Sequence, residues 1–151
     1  MSVTSDAQAQ EATPRYLVSG DPALSDYYPA WLDNLADDVT VEGSMLDGAV
    51  QGADAARSIV AGIRTLYCDS QEFHFAGPCG ENGWLEDYIA HVDGKPLGCI
   101  ALITRNAAGQ TQDIVASYRP RSSLLLFARL LGEKYAGTPL AKYFITEAGT
   151  A

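Results

Sequence analysis

The sequence predicts an α+β domain with its helices gathered on one face of an antiparallel sheet. Three observations carry this. A helix-period stripe fills residues 53–67, with Ala56, Ile59, Val60, Ile63 and Tyr67 on one side. Three strand-like runs follow one another between Gly83 and Pro120, divided by the turns Asp93-Gly94 and Asn106–Gly109. A second helical stripe (Leu124, Phe127, Ala128, Leu131 and Tyr135) starts directly after Arg119-Pro120.

The other elements are read in chain order. Residues 1–13 are polar and expected to be disordered, leaving one domain over residues 14–151. From Pro14 to Leu24 only the turn Gly20-Asp21-Pro22 stands out. Asp26–Asp38 reads as a helix with Pro29 at its first position, and with Trp31, Leu32 and Leu35 on one side just after Tyr28. Val39–Leu46 reads as a strand, left through Asp47-Gly48 and Gly52. Glu72–Ala76 is a short strand before a Gly/Pro-rich break. The last helix takes Ser122 or Ser123 as its cap; Leu125, Leu126 and Leu130 widen its apolar stripe toward contacts on two sides. Leu140, Tyr143, Phe144 and Ile145 are apolar enough to pack back on the domain.

Asp93-Gly94 suits the centre of a two-residue type I′ hairpin, which pairs Val92 with Lys95, Tyr88 with Cys99, Glu86 with Ala101 and Trp84 with Ile103. Treating Asn106–Gly109 as a four-residue loop pairs Arg105 with Gln110, Ala101 with Ile114 and Cys99 with Ala116. Paired residues share a face. One face then carries Trp84, Glu86, Tyr88, Ala90, Leu97, Cys99, Ala101, Ile103, Ile114, Ala116 and Tyr118. Its small residues, ringed by aromatics, leave room for a cavity under the helices. The opposite face holds Leu85, Ile89, Ile100, Leu102 and Val115, too apolar for bare water; a homodimer through this outer face is expected. A bulge in any strand would exchange the faces beyond it.

Several strings resemble the nuclear transport factor 2-like (cystatin-like) superfamily, and in particular its SnoaL-like branch. They are Leu35–Glu42, Gly52 leading into the Ile59/Val60/Ile63 helix, the Asn106–Gly109 turn, and Tyr118-Arg119-Pro120 before a Leu-rich helix. The resemblance covers roughly residues 20–135 and implies a cone-shaped sheet wrapped around a deep pocket, with dimers through the outer face. It also implies a range of activities, among them isomerases, cyclases, epoxide hydrolases and dehydratases, alongside members with no catalysis. The ketosteroid isomerases of the family carry a general-base Asp directly after a Val-Glu pair, where this chain has Gly43. Their oxyanion-donating acid would fall near Ala101. The Asp-Arg-Asp set of the limonene-type epoxide hydrolases has no counterpart among the inward positions. The fold transfers, but no mechanism comes with it.

Among candidate residues Glu86 ranks first, as the one carboxylate on the small-residue face. Burial would raise its pKa toward useful acid/base strength. An ion pair with Arg57 or Arg64, or a bulge turning it to solvent, are the competing readings. Tyr88 and Tyr118 flank the small residues as hydrogen-bond donors, or as core tyrosines with one polar tip. Trp84, Tyr28, Trp31, Cys99, Ala101, Ile114 and Ala116 complete the expected ligand contacts. Cys99 reads as an inert core thiol and Trp31 equally as core. His91 and His74 point outward, and Asp37, Asp38 and Asp47 sit at element ends, with Asp47 a remote candidate acid.

The net charge of −9 argues against nucleic-acid and anionic-membrane partners. No apolar segment approaches the roughly 20 residues that span a bilayer, and no secretory signal is visible. Cys68, Cys79 and Cys99 form no CxxC, which suits reduced thiols in a cytoplasm. No metal or organic cofactor is expected. Two functions fit: a cofactor-free isomerase, cyclase or dehydratase acting on a small hydrophobic molecule, or a non-catalytic binding or assembly protein.

Overall fold

The computed structural model describes residues 9–67 and 69–144. Most of the N-terminal stretch expected to be disordered, together with Cys68 and Ile145, lies outside them. Three 3-10 turns (Arg15–Leu17, Pro22–Leu24 and Ala30–Asp33) lead into β1 (Leu35–Gly43) and β2 (Ala49–Gln51). Next come α1 (Ala53–Tyr67), β3 (Glu72–Cys79), β4 (Gly83–Val92), β5 (Lys95–Arg105) and β6 (Thr111–Arg119). The helix α2 (Arg121–Lys134) and a 3-10 turn at Pro139–Tyr143 close the chain. The strands form one curved sheet in the order β2-β1-β6-β5-β4-β3, antiparallel except where β1 runs parallel to β6. This is the α+β layout expected.

The first hairpin has the expected register from Trp84–Ile103 to Val92–Lys95. Its Asp93 and Gly94 adopt φ of 52° and 78°, as a type I′ turn requires. The second hairpin is offset by two residues from the expected pairing: Ala101 lies opposite Ala116, and Cys99 opposite Tyr118. Asn106 causes this. Its side-chain oxygen accepts from the amides of Ala108 and Gln110, both at 3.0 Å, closing a longer loop before Arg105 pairs with Thr111. Gln112 is then the extra residue of a bulge. Because side chains alternate with period two, the even offset leaves every residue on its expected face.

Two other expectations change. The helix over Asp26–Asp38 is one 3-10 turn; Asn34 leaves helical geometry at φ −140°, and Leu35–Asp38 belong to β1. The amide of Thr111 donates to Asn34 O at 2.8 Å and Leu35 pairs with Thr111, so pairing with the start of β6 overrides the helical propensity of Leu35 and Ala36. Pro120, not a serine, caps α2, and Ser123 is buried inside its first turn. In β3 a bulge between Phe73 and Phe75 buries Phe73 but leaves Phe75 43% exposed.

Both helices pack on the inner face, and Ile59, Leu97, Ile103, Phe127 and Leu131 are essentially inaccessible. Leu125 stays 60% exposed, so α2 does not bury two full sides. The chain end packs back as expected: the Phe144 ring stacks on Tyr135, 5.4 Å between centroids.

On the outer face Ile100 and Leu102 are exposed, and Leu85 and Val115 are half-buried. Ile89 is buried, because the Arg15–Leu17 turn lies along β4 and β5. Arg15 Nε donates to Asp87 at 2.5 Å. His74 does face outward, yet its side chain is buried, with Nε2 2.7 Å from Val18 O.

Candidate functional site

The pairing of Ala101 with Ala116 sets two side chains of minimal size opposite each other on the inner face. The space they leave becomes part of a cavity between the sheet and α1. Val41, Met45, Val60, Ile63 and Ile114 make most of the wall apolar. Glu86, Tyr67, Tyr88 and Tyr118 bring polar atoms to it, with Arg64 and Gln71 also in the lining. Trp31, Pro29 and Leu32 close one side from the third 3-10 turn.

Glu86 is 3% exposed and forms no direct ion pair among the described residues: Arg57 pairs with Asp54, while Arg64, in the lining of the same cavity, acts on Glu86 only through its charge. One carboxylate oxygen, Oε2, accepts from the Tyr27 hydroxyl at 2.5 Å and from the Trp31 indole N–H at 2.8 Å. The Trp84 indole in turn donates to the Tyr27 oxygen at 2.7 Å. Burial raises the Glu86 pKa above the ordinary carboxylate value, and the two donors and the Arg64 charge offset only part of that. Burial, together with the adjoining carboxylate, also raises the Tyr27 pKa, so Tyr27 remains a neutral phenol.

Three tyrosine hydroxyls meet at another part of the cavity wall. Tyr67 OH lies 2.8 Å from Tyr88 OH and donates to Tyr118 OH at 2.9 Å. Burial raises all three well above their ordinary value, so they are donors and acceptors of hydrogen bonds rather than phenolates. Cys99 is not on the wall; it is wholly buried beside the tyrosines, and desolvation pushes its thiol up to about 12.

The structure therefore brings Glu86, Tyr88, Tyr118, Trp31, Ala101, Ile114 and Ala116 to one cavity. It leaves Tyr28, Trp84 and Cys99 off it. Tyr28 is 51% exposed and donates to Asp33; with the half-buried Trp84 it lines a separate surface groove. Tyr27 and Tyr67 were not singled out from the sequence. Tyr67 ends the α1 stripe as a core residue would, and Tyr27 lies in the irregular link between two 3-10 turns, where no periodicity marks which side chain turns inward. Asp37, Asp38 and Asp47 are exposed, as is His91. Among the described residues no group of three His, Cys, Asp or Glu side chains could hold a metal ion.

Gly43 has a physical reason to be glycine. A Cβ there would stand 2.3 Å from the carbonyl oxygen of Ala116 on the neighbouring strand, so no carboxylate fits without moving backbone. Gly43→Ala is expected to cost about 1–3 kcal/mol, the usual range for overpacking. Thermal denaturation checks this, and an unchanged melting temperature would show that the strand yields freely.

No family model matches the sequence, and no curated protein is similar to it. Solved structures are similar in fold. An uncharacterized bacterial protein with a cystatin-like fold from Silicibacter pomeroyi superposes with a TM-score of 0.65 at 17% identity, covering 71% of this chain and 74% of that one. A steroid delta-isomerase from Pseudomonas aeruginosa gives 0.64 at 20% identity, over 72% and 79%. A de novo designed protein with a curved β-sheet gives 0.52 at 14% identity, over 65% and 78%.

Proposed function

We propose, starting from the cystatin-like, nuclear transport factor 2-like fold that this chain adopts, that the cavity binds a small hydrophobic molecule carrying a carbonyl or hydroxyl oxygen. Glu86 then moves a proton on it. The reading is a cofactor-free isomerase, cyclase or dehydratase in the manner of SnoaL-like proteins, with a cytoplasmic location. Its main support is Glu86 itself: a carboxyl buried in an apolar cavity, bonded through one oxygen and with its pKa raised. Tyr88 and Tyr118 are the hydrogen-bond donors proposed for the ligand oxygen; their hydroxyls lie within hydrogen-bond distance of Tyr67 OH on the cavity wall. Trp31, Ala101, Ile114 and Ala116 shape the apolar part of the site, which is the role proposed for them here. Gly43 and Ala101 stand where the ketosteroid isomerases of the resemblance hold their acids, so the steroid isomerase mechanism is not carried over.

A thermal-shift screen of neutral hydrophobic ketones and phenols tests the binding. A ligand of the cavity is expected to raise the melting temperature, and Tyr118→Phe to weaken its binding by about tenfold, as one hydrogen bond allows. Equal binding to wild type and Tyr118→Phe would remove Tyr118 as a donor to the ligand.

The second reading, a non-catalytic binding protein, draws on the same two hydrogen bonds: Tyr27 and Trp31 already satisfy one oxygen of Glu86, as a purely structural carboxylate would be satisfied. In either case we propose a homodimer through the outer sheet face, centred on Ile100, Leu102, Leu85 and Val115, with Ile89 left out. Leu102→Glu is expected to halve the mass seen by light scattering, and an unchanged mass would contradict that interface.

A further inference from the structure

A surface groove that shares Trp31 with the Glu86 cavity is walled by Tyr27, Tyr28, Trp31 and Trp84 and includes Arg105. We infer that this groove is a second, separate binding site, and that it takes a planar aromatic anion, an aryl carboxylate. The ring packs on the aromatic walls and the carboxylate pairs with Arg105.

The polar atoms of the walls are already committed. Trp84 Nε1 donates to Tyr27, and Tyr27 and Trp31 donate to Glu86. Tyr28 donates to Asp33 at 2.8 Å, and Thr111 Oγ1 to Trp31 O at 2.9 Å. What the four side chains offer a ligand is therefore ring surface. The Tyr27 and Trp84 rings lie nearly parallel, 15° apart with centroids at 6.3 Å, and Tyr28 leaves half its surface to solvent. Flat ring surface selects a flat apolar ligand.

Arg105 supplies the other half of the recognition. It is the one charged side chain lining the groove, and it has no ion pair among the described residues. Asp33, close to the rim, is engaged by Tyr28, and Glu86 lies behind Tyr27 and Trp31. A guanidinium matches a carboxylate through two parallel N–H donors, and an adjoining ring stacks on the same wall.

The test is calorimetric titration of the whole chain with 2-naphthoate and with its neutral isostere 2-naphthamide. The Trp84 indole N–H signal, identified by Trp84→Phe, is followed by NMR, since Trp84 lines the groove and not the Glu86 cavity. Naphthoate is expected to bind and to shift that signal. Naphthamide, and naphthoate with Arg105→Gln, are expected to bind about tenfold more weakly, with Arg105→Lys recovering part of the loss. The site is overturned by no naphthoate binding, by equal binding of naphthoate and naphthamide, by an unaffected Arg105→Gln, or by binding that leaves the Trp84 signal unmoved.

Discussion

Glu86→Gln is expected to keep the fold and the ligand while lowering turnover by about 10²–10⁴-fold, the usual contribution of a positioned acid or base. The amide is isosteric, and its oxygen can still accept from Tyr27 and Trp31. Stability gives an independent readout. The folded-state pKa of Glu86 lies above its unfolded value, so the native state holds the proton more tightly. In the window between the two values the unfolded state binds fewer protons, and wild-type stability therefore falls as pH rises through it. Glu86→Gln lacks that fall. It should be no less stable than wild type above the window, and its advantage should vanish below the ordinary carboxylate range. Denaturation curves of both proteins across pH check the sign; a variant that is less stable at neutral pH would mean the ionised carboxylate is a net stabiliser. Turnover unaffected by the change would remove Glu86 from the chemistry, and no turnover by either protein on a bound ligand would leave only the binding reading.

Phe127→Ala is expected to cost about 3–5 kcal/mol, a large share of the roughly 5–15 kcal/mol that stabilises a typical domain. Phe127 is fully buried and joins α2 to the tyrosines: its ring lies 4.8 Å from that of Tyr118 and stacks at 6.0 Å on that of Tyr67. Removing it opens a void directly behind two of the three hydroxyls, so ligand affinity should fall along with stability. Urea denaturation measures the first and titration the second. A loss under about 1 kcal/mol would indicate that α2 collapses into the gap at little cost.

What the sequence made legible was what local chemistry decides. Asp93-Gly94 fixes its own hairpin because its backbone geometry is intrinsic to those residues. Asn106 hid its effect, since a side chain bonding to two amides lengthened a loop that composition alone left at four residues. The two-residue offset did no harm to the faces, and that is why Glu86, Tyr88 and Tyr118 could be grouped before any coordinates. The surroundings of Glu86 were less accessible. Tyr27 and Trp31 reach it from 59 and 55 residues away in a 3-10-rich segment whose phase no helical periodicity reports. The cover on the outer face was invisible for the same reason: Arg15 meets Asp87 across 72 residues of chain.

The central claim is that Glu86 is a buried carboxyl tuned toward proton transfer. Carbon-detected NMR titration of its side-chain carboxyl tests this most directly. The expected midpoint lies clearly above the ordinary glutamate value of about 4.3. A midpoint at or below that value would contradict the claim, leaving a carboxylate that Tyr27 and Trp31 hold in its charged form.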